Sequence, residues 1–212
     1  MSKIYQISEG YPYRGDKGCF GFSSILLVAG DKRNILFDVG NYSLRKEIIP
    51  ILSSIDCVVI SHLHFDHCSN LDLFIEKQIP IYISSLELTY FDNLKTVDAD
   101  LFSYFDLIRD SLKIVPISSD IELDKGIKLL DTSGHTNGDL SLEVDKYTIL
   151  SGDALKNYND FCNVSSYGNA YSPIDYVECK KKIIDNYPVI YPGHDGVIIN
   201  GKVKRKMKVR EF

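Results

Sequence analysis

Residues 57–67 read CVVISHLHFDH, and residues 68–75 continue CSNLDLFI. The first four are apolar and mostly β-branched, the composition of a strand buried on both faces. The stretch Asp66–Ile75 carries apolar residues at helical spacing, so a helix is predicted there. Between strand and helix stand His62, His64, Asp66 and His67. The chain has only five histidines in 212 residues, and three of them crowd into this one turn. A turn at the C-terminal end of a buried strand is a preferred place to display functional side chains. There His62 and His64 can face the same way and grip one ion, while Asp66 and His67 can face a second. Imidazole suits zinc, iron or nickel, and a carboxylate adds a hard donor.

The other two histidines occur in similar settings. His135 lies in DTSGHTNG (131–138) after the apolar run Ile127–Leu130, and His194 lies in YPGHDG (191–196) after Val189–Tyr191. Asp153 lies in SGDA (151–154) after Thr148–Leu150. Each is a strand, a glycine and a metal-type donor, so four strand ends can converge on one spot, as a dinuclear centre requires.

Further strand-length runs are Ile4–Ile7, Phe22–Val28, Asn34–Val39, Ile79–Ile83, Leu112–Val115, Leu140–Val144 and Val197–Ile199. Helical spacing recurs over Leu44–Leu52, Leu86–Leu94 and Ala99–Arg109. Pro173–Tyr187 begins with Ser172 as N-cap and proline in the first turn. This order suits sheets covered by helices, in a mixed α/β or α+β layering. No linker or repeat divides the chain, so one domain over residues 1–212 is expected. At 44 % hydrophobic and 25 % charged, the composition excludes a disordered or coiled-coil chain. No apolar run reaches membrane-spanning length and no secretory leader is visible, so a cytoplasmic protein is expected. The odd set Cys19, Cys57, Cys68, Cys162 and Cys179 lacks C-x-x-C spacing and reads as reduced thiols. Net charge is −5, yet residues 202–212 hold six bases and one acid, which leaves −10 on the remainder. That body disfavours a nucleic-acid partner. The tail alternates apolar and basic residues over 202–210, the pattern of an edge strand with a lysine-rich outer face.

H-x-H-x-D-H at 62–67, G-H-T at 134–136, G-D at 152–153 and P-G-H at 192–194 together resemble the metallo-β-lactamase-fold hydrolases. NILFDVG (34–40) is similar to that superfamily's early strand and turn. The resemblance implies an α+β fold: a four-layer αββα sandwich of two mixed β-sheets with helices on the outer faces and metals at one edge. It implies His62, His64 and His135 as ligands of a first metal, Asp66, His67 and His194 of a second, and Asp153 as the bridging carboxylate. Asp38 matches a position that holds the histidine loop in place. The cofactors implied are two divalent ions, zinc first, with iron or manganese accepted by the same donors. Asp153 stands where class B β-lactamases commonly have cysteine, and His64 where flavodiiron proteins have glutamate. The pattern that remains is similar to glyoxalase II and the N-acyl homoserine lactonases.

Two such ions lower the pKa of a bridging water and polarise a carbonyl, with Asp66 placed to carry the proton. The expected function is therefore a metal-dependent hydrolase of a small-molecule ester, thioester or lactone. The alternatives are a phosphodiesterase acting on a small phosphodiester and a non-catalytic metal-binding sensor. Specificity is expected from the aromatic segments 10–21 and 158–171, with Tyr11, Tyr13, Tyr158 and Tyr167 as candidate substrate contacts. Tyr158 is also the residue nearest the position of the lactonases' substrate tyrosine. The aromatic stretch 86–109 suits a lid, a homo-oligomer face or simply core.

Overall fold

The computed structural model describes residues 2–15, 18–97 and 99–205. From the N-terminus, β1 (Lys3–Ser8) precedes a hairpin of β2 (Tyr11–Gly15) and β3 (Gly18–Phe22). Then come β4 (Ile25–Ala29), β5 (Asn34–Phe37), the short helix α1 (Arg45–Ile48), β6 (Cys57–Val59), the one-turn helix α2 (Phe65–Cys68) and β7 (Ile81–Ser84). Helices α3 (Ser85–Val97) and α4 (Ala99–Ile108) lead to β8 (Ile114–Ile117). The second half runs β9 (Ile121–Asp124), β10 (Ile127–Asp131), β11 (Leu140–Val144), β12 (Thr148–Gly152), α5 (Tyr158–Cys162), α6 (Pro173–Asn186), β13 (Val189–Pro192), β14 (Val197–Ile199) and β15 (Lys202–Lys204).

Two sheets result. One has the order β1-β4-β5-β6-β7-β8, the other β15-β14-β13-β12-β11-β10-β9. Both are mixed: β5 to β8 run parallel, as do β12 and β13, and the remaining pairs are antiparallel.

Alternation along the strands sorts the side chains into three apolar layers. Ile35, Phe37, Cys57 and Val59 face Leu129, Leu142 and Leu150 between the sheets. Their neighbours Leu36 and Val58 face outward, under Phe74, Phe91, Leu101 and Phe105. On the other side, Ile149 and Ile190 pack beneath Cys179 and Ile183 of α6. Helix, sheet, sheet, helix is therefore the order of layers, the αββα sandwich expected. Cys57 and Cys179 are buried thiols, Cys68 is buried with its thiol donating to the His64 carbonyl at 3.2 Å, and Cys162 is exposed. Among the described residues no helix is long and apolar enough to cross a membrane.

Several predicted elements are cut short for local reasons. The helix expected over Leu44–Leu52 becomes α1 and a 3-10 stretch, Ile49–Ser54, because Pro50 has no N–H to continue the α ladder. That expected over Asp66–Ile75 breaks after α2. There the Asn70 amide donates to the Val39 and Asn41 carbonyls, and the Ser69 N–H to that of Gly40. The aromatic stretch 86–109 is largely core: Phe91 and Phe105 are buried, and the Tyr104 hydroxyl donates to Asp72 at 2.9 Å. The tail does supply an edge strand, β15, with Val203 packed inward and Lys202 and Lys204 exposed. Residues 206–210 of that expectation lie outside the described residues.

Candidate metal centre

Five loops meet at one edge of the sandwich, and each begins at the C-terminal end of a strand. They follow β5 (Asp38), β6 (His62 to His67), β10 (His135), β12 (Asp153) and β13 (His194). The two sheets touch there. Leu140 N–H donates to the Ser61 carbonyl at 2.8 Å, and Gly152, at φ +51°, brings its Cα against Ser61, where a Cβ would stand 2.6 Å from the serine's own. Only glycine combines that φ with that approach.

The seven donors expected from the sequence fall into two groups. His62, His64, His135 and Asp153 form one; Asp66, His67 and His194 form the other. In the first, His62 Nε2 and His135 Nε2 lie 2.8 and 3.2 Å from His64 Nδ1. In the second, His194 Nε2 and His67 Nε2 lie 3.4 and 4.0 Å from Asp66 Oδ2. Asp153 reaches both. Its Oδ2 is 3.3 Å from His135 Nε2, while its Oδ1 is 3.1 Å from His194 Nε2 and 3.4 Å from His67 Nε2.

Hydrogen bonds on the outer side decide which nitrogens are bare on the inner side. His67 Nδ1 donates to Asp38 Oδ2 at 2.7 Å. His194 Nδ1 donates to the Phe22 carbonyl at 3.2 Å. Ser61 Oγ donates to Asp38 Oδ2 at 2.9 Å, so its lone pair accepts from His62 Nδ1 at 3.0 Å. These partners place the Nδ1 protons outward and turn three Nε2 atoms to the centre, where they would serve as lone-pair donors to a cation. Asp38 therefore steadies both groups, one directly and one through Ser61. It does so from a left-handed backbone, φ +58°, which an aspartate tolerates better than most side chains.

A second carboxylate layer lies behind His62. Glu87 of α3 accepts from Leu63 N–H at 2.8 Å and Gly138 N–H at 3.1 Å, tying the β6 loop to the β10–β11 loop. Asp139 accepts from Thr136 N–H, and its Oδ1 is 3.7 Å from His62 Nδ1. Burial pushes both acids above the usual carboxylate range, and Asp139 is raised further by Glu87. Burial likewise drives His62 and His135 well below the usual imidazole value. It opposes charge on His67 and His194 too, but nearby carboxylates hold these two above that value: Asp38, Asp66 and Asp153 for His67, Asp153 and Asp66 for His194.

The donor set fits divalent metal. His67 Nε2 and Asp153 Oδ1 are buried with no hydrogen-bond partner, a costly state unless a cation meets them. The set is all nitrogen and oxygen, suited to borderline ions such as zinc, iron or manganese.

The rim agrees with expectation only in part. Gly21 in β3 lies so close that a Cβ would collide with Asp66 Oδ2, so the 10–21 hairpin does border the centre. Tyr158 does not. Its hydroxyl donates to Gly201 at 3.1 Å and its ring stacks on Phe161 in the outer core. Tyr167 is exposed with no site contact described, Tyr11 is half-buried in β2, and the Tyr13 side chain lies outside the described residues. Tyr171, not anticipated, donates its N–H to the His135 carbonyl at 2.9 Å and meets Tyr90 edge-on at 5.9 Å. Lys156 was also not anticipated; its Nζ stands 3.6 Å from Asp153 Oδ2, with a third of the side chain exposed. Ser61, Glu87 and Asp139 are the other residues missed. Ser61 alone had a signal, its place directly before His62.

The family model described as "Metallo-beta-lactamase superfamily" matches residues 20–194. A "probable metallo-hydrolase" of Methanocaldococcus jannaschii is 27 % identical over 187 residues, covering 82 % of this chain and 89 % of that one. An N-acyl homoserine lactonase of Bacillus sp is 26 % identical over 145 residues, 65 % of this chain and 55 % of the other. The crystal structure of a quorum-quenching N-acyl homoserine lactone lactonase superposes with a TM-score of 0.69 at 19 % identity, covering 92 % of this chain and 91 % of that one. At that identity the likeness is one of fold.

Asp38→Ala should be costly in two ways. It removes the acceptor of three buried donors, the Ser61 N–H at 2.8 Å, the Ser61 Oγ–H at 2.9 Å and the His67 Nδ1–H at 2.7 Å, a loss of about 3 kcal/mol or more. Metal affinity should fall ~10–100-fold, the usual effect of losing such a partner. Urea denaturation of the metal-free protein and competition against a chelator measure the two effects. Wild-type affinity in the variant would show that Asp38 does not orient the imidazoles.

Proposed function

The chain belongs to the metallo-β-lactamase superfamily and is a metal-dependent hydrolase, and on that premise we propose that it works with two divalent ions on a small-molecule ester, thioester or lactone. His62, His64 and His135 would hold the first ion, Asp66, His67 and His194 the second, and Asp153 would serve both. The observation that carries this reading is the division of Asp153, one oxygen toward each histidine group. Zinc is the first choice, with iron or manganese open to the same donors. Bound there, a pair of such ions acidifies water and polarises a carbonyl oxygen.

The chain's own residues account for the remaining steps. Asp153 is held ionised: burial alone would raise its pKa, but His194, Lys156 and His67 bring it well below the usual carboxylate range. Asp66 is the more open carboxylate, its side chain 19 % exposed against 5 % for Asp153. Asp66 Oδ2 faces His194 Nε2 at 3.4 Å, and this carboxylate would take a proton from the attacking water and return it to the leaving alkoxide or thiolate. Lys156, beside Asp153 at 3.6 Å and a third exposed, would add positive charge at the rim of the centre. The lactonase relatives support a lactone as the first substrate to try.

Reconstitution should give two ions per chain by elemental analysis; no more than one after saturation would remove the dinuclear reading. The substrate class is tested by assaying metal-loaded protein side by side on an acyl homoserine lactone, a glutathione thioester, bis-p-nitrophenyl phosphate and a carbapenem. Turnover of lactone or thioester, with little or none of the carbapenem, is expected. Efficient turnover of the phosphodiester alone would replace the ester reading with a phosphodiesterase. Asp66→Ala should lower kcat by at least ~10², the scale of a lost acid–base group, while His62, His64 and His135 still bind one ion. Activity within a few-fold of wild type would mean that Asp66 carries no proton.

A further inference from the structure

Lys180 of α6 is completely buried, a rare state for a lysine without partners. Its Nζ donates to the Ser166 carbonyl, lies 3.8 Å from Asp160 Oδ1 and stands 4.4 Å from the centre of the Tyr176 ring. Asp160 accepts from the Tyr176 hydroxyl at 2.8 Å and from Ser166 Oγ at 3.1 Å. Lysine and tyrosine come from the helix; aspartate and serine come from the irregular segment 156–172 that precedes it. This ammonium is thus the centre of a polar knot that fastens the segment to α6.

Both ends of that segment are attached to the metal centre. At one end the Lys156 carbonyl accepts from His194 N–H at 2.6 Å. At the other, Tyr171 and Ser172 donate to the His135 and Gly134 carbonyls at 2.9 and 3.0 Å. The Tyr176 ring itself lies 6.0 Å from the His135 ring. Between the attached ends, regular structure is limited to α5, which Tyr158 and Phe161 anchor in the outer core; Asp160 and Ser166 supply the contacts that join the segment to α6.

We propose that Lys180 is a positioning residue whose buried ammonium holds segment 156–172 in place as one wall of the substrate mouth, fixing Lys156 and Tyr171 beside the centre. Stability alone is a poor reason for such a group. An apolar pair of similar shape generally does as well as a buried ion pair, or better. What a charged knot adds is one required arrangement: Ser166 and Asp160 must both reach the same Nζ. The substrate half of this assignment rests on the hydrolase reading above; the ordering of the segment does not.

The test uses Lys180→Met and the double variant Lys180→Met/Asp160→Asn, which leaves no unpaired buried charge and so protects the fold. Amide hydrogen exchange reads the order of the segment, and steady-state kinetics on p-nitrophenyl butyrate and N-hexanoyl homoserine lactone read the mouth. In the double variant, exchange over 156–172 should rise ~10-fold or more while β5, β6 and β12 stay as in wild type. KM should rise ~5-fold or more with kcat within ~2-fold, the mark of lost binding rather than lost chemistry. Unchanged exchange in the segment would overturn the proposal. So would a rise spread equally over the strands, which is what a purely stabilising residue would give, or faster segment exchange with KM unmoved. If wild type hydrolyses neither probe, it is the hydrolase reading that fails on them, and the exchange comparison alone decides the role of Lys180.

Discussion

Five imidazoles and two carboxylates at one buried edge call for partners on their outward atoms, because every unpaired polar group taken from water costs free energy; among the described residues, His135 Nδ1 alone of the outward imidazole nitrogens is left buried without a hydrogen bond. Much of the local architecture answers to that constraint. Asp38 accepts from Ser61 and His67, a backbone carbonyl takes the His194 proton, and Glu87 takes two loop N–H groups. The same bonds that meet the cost also choose tautomers. Satisfaction of the rim and readiness of the centre are therefore one arrangement, and the strained backbone at Asp38 is kept because that arrangement over-determines it.

The sandwich serves this edge in a direct way. Parallel β5 and β6 deliver Asp38 and the histidine loop side by side, and parallel β12 and β13 deliver Asp153 and His194. Neighbouring parallel strands end at the same level, so donors far apart in sequence arrive together without long loops. The inter-sheet core then fixes the distance between the two deliveries, and Gly152 against Ser61 is the point at which they touch.

How much of this could be read in the residues depended on whether the information was local. The histidine turn, the G-H-T, G-D and P-G-H loops and most strands are written in consecutive residues, and the structure places them where periodicity and spacing indicate. The strand Ile121–Asp124 escaped because two of its four residues are acidic and its pairing with β10 is what stabilises it. Glu87 escaped because its partners lie 24 and 51 positions away; nothing in an amphipathic helix marks which acid turns inward. Tyr158 was misplaced for the converse reason. Sequence proximity to Asp153 suggested the mouth, but α5 turns its ring toward Phe161 and the outer core. Lys180 is the first of three consecutive lysines, a run that reads as a solvated face until the path of segment 156–172 is known.

The connection from β12 to β13 is a crossover of the kind that any parallel pair requires, and it holds α5, the irregular wall and α6. The sheet demands only that such a connection exist, start after Asp153 and return before His194; its length and course are otherwise unconstrained by strand pairing. If the crossover forms the mouth as proposed, chemistry and selectivity would be written in separable stretches of the chain. Insertions or deletions between its attached ends, Lys156 and Tyr171, would alter what is admitted to the centre while the strand ends that carry the seven candidate donors keep their spacing.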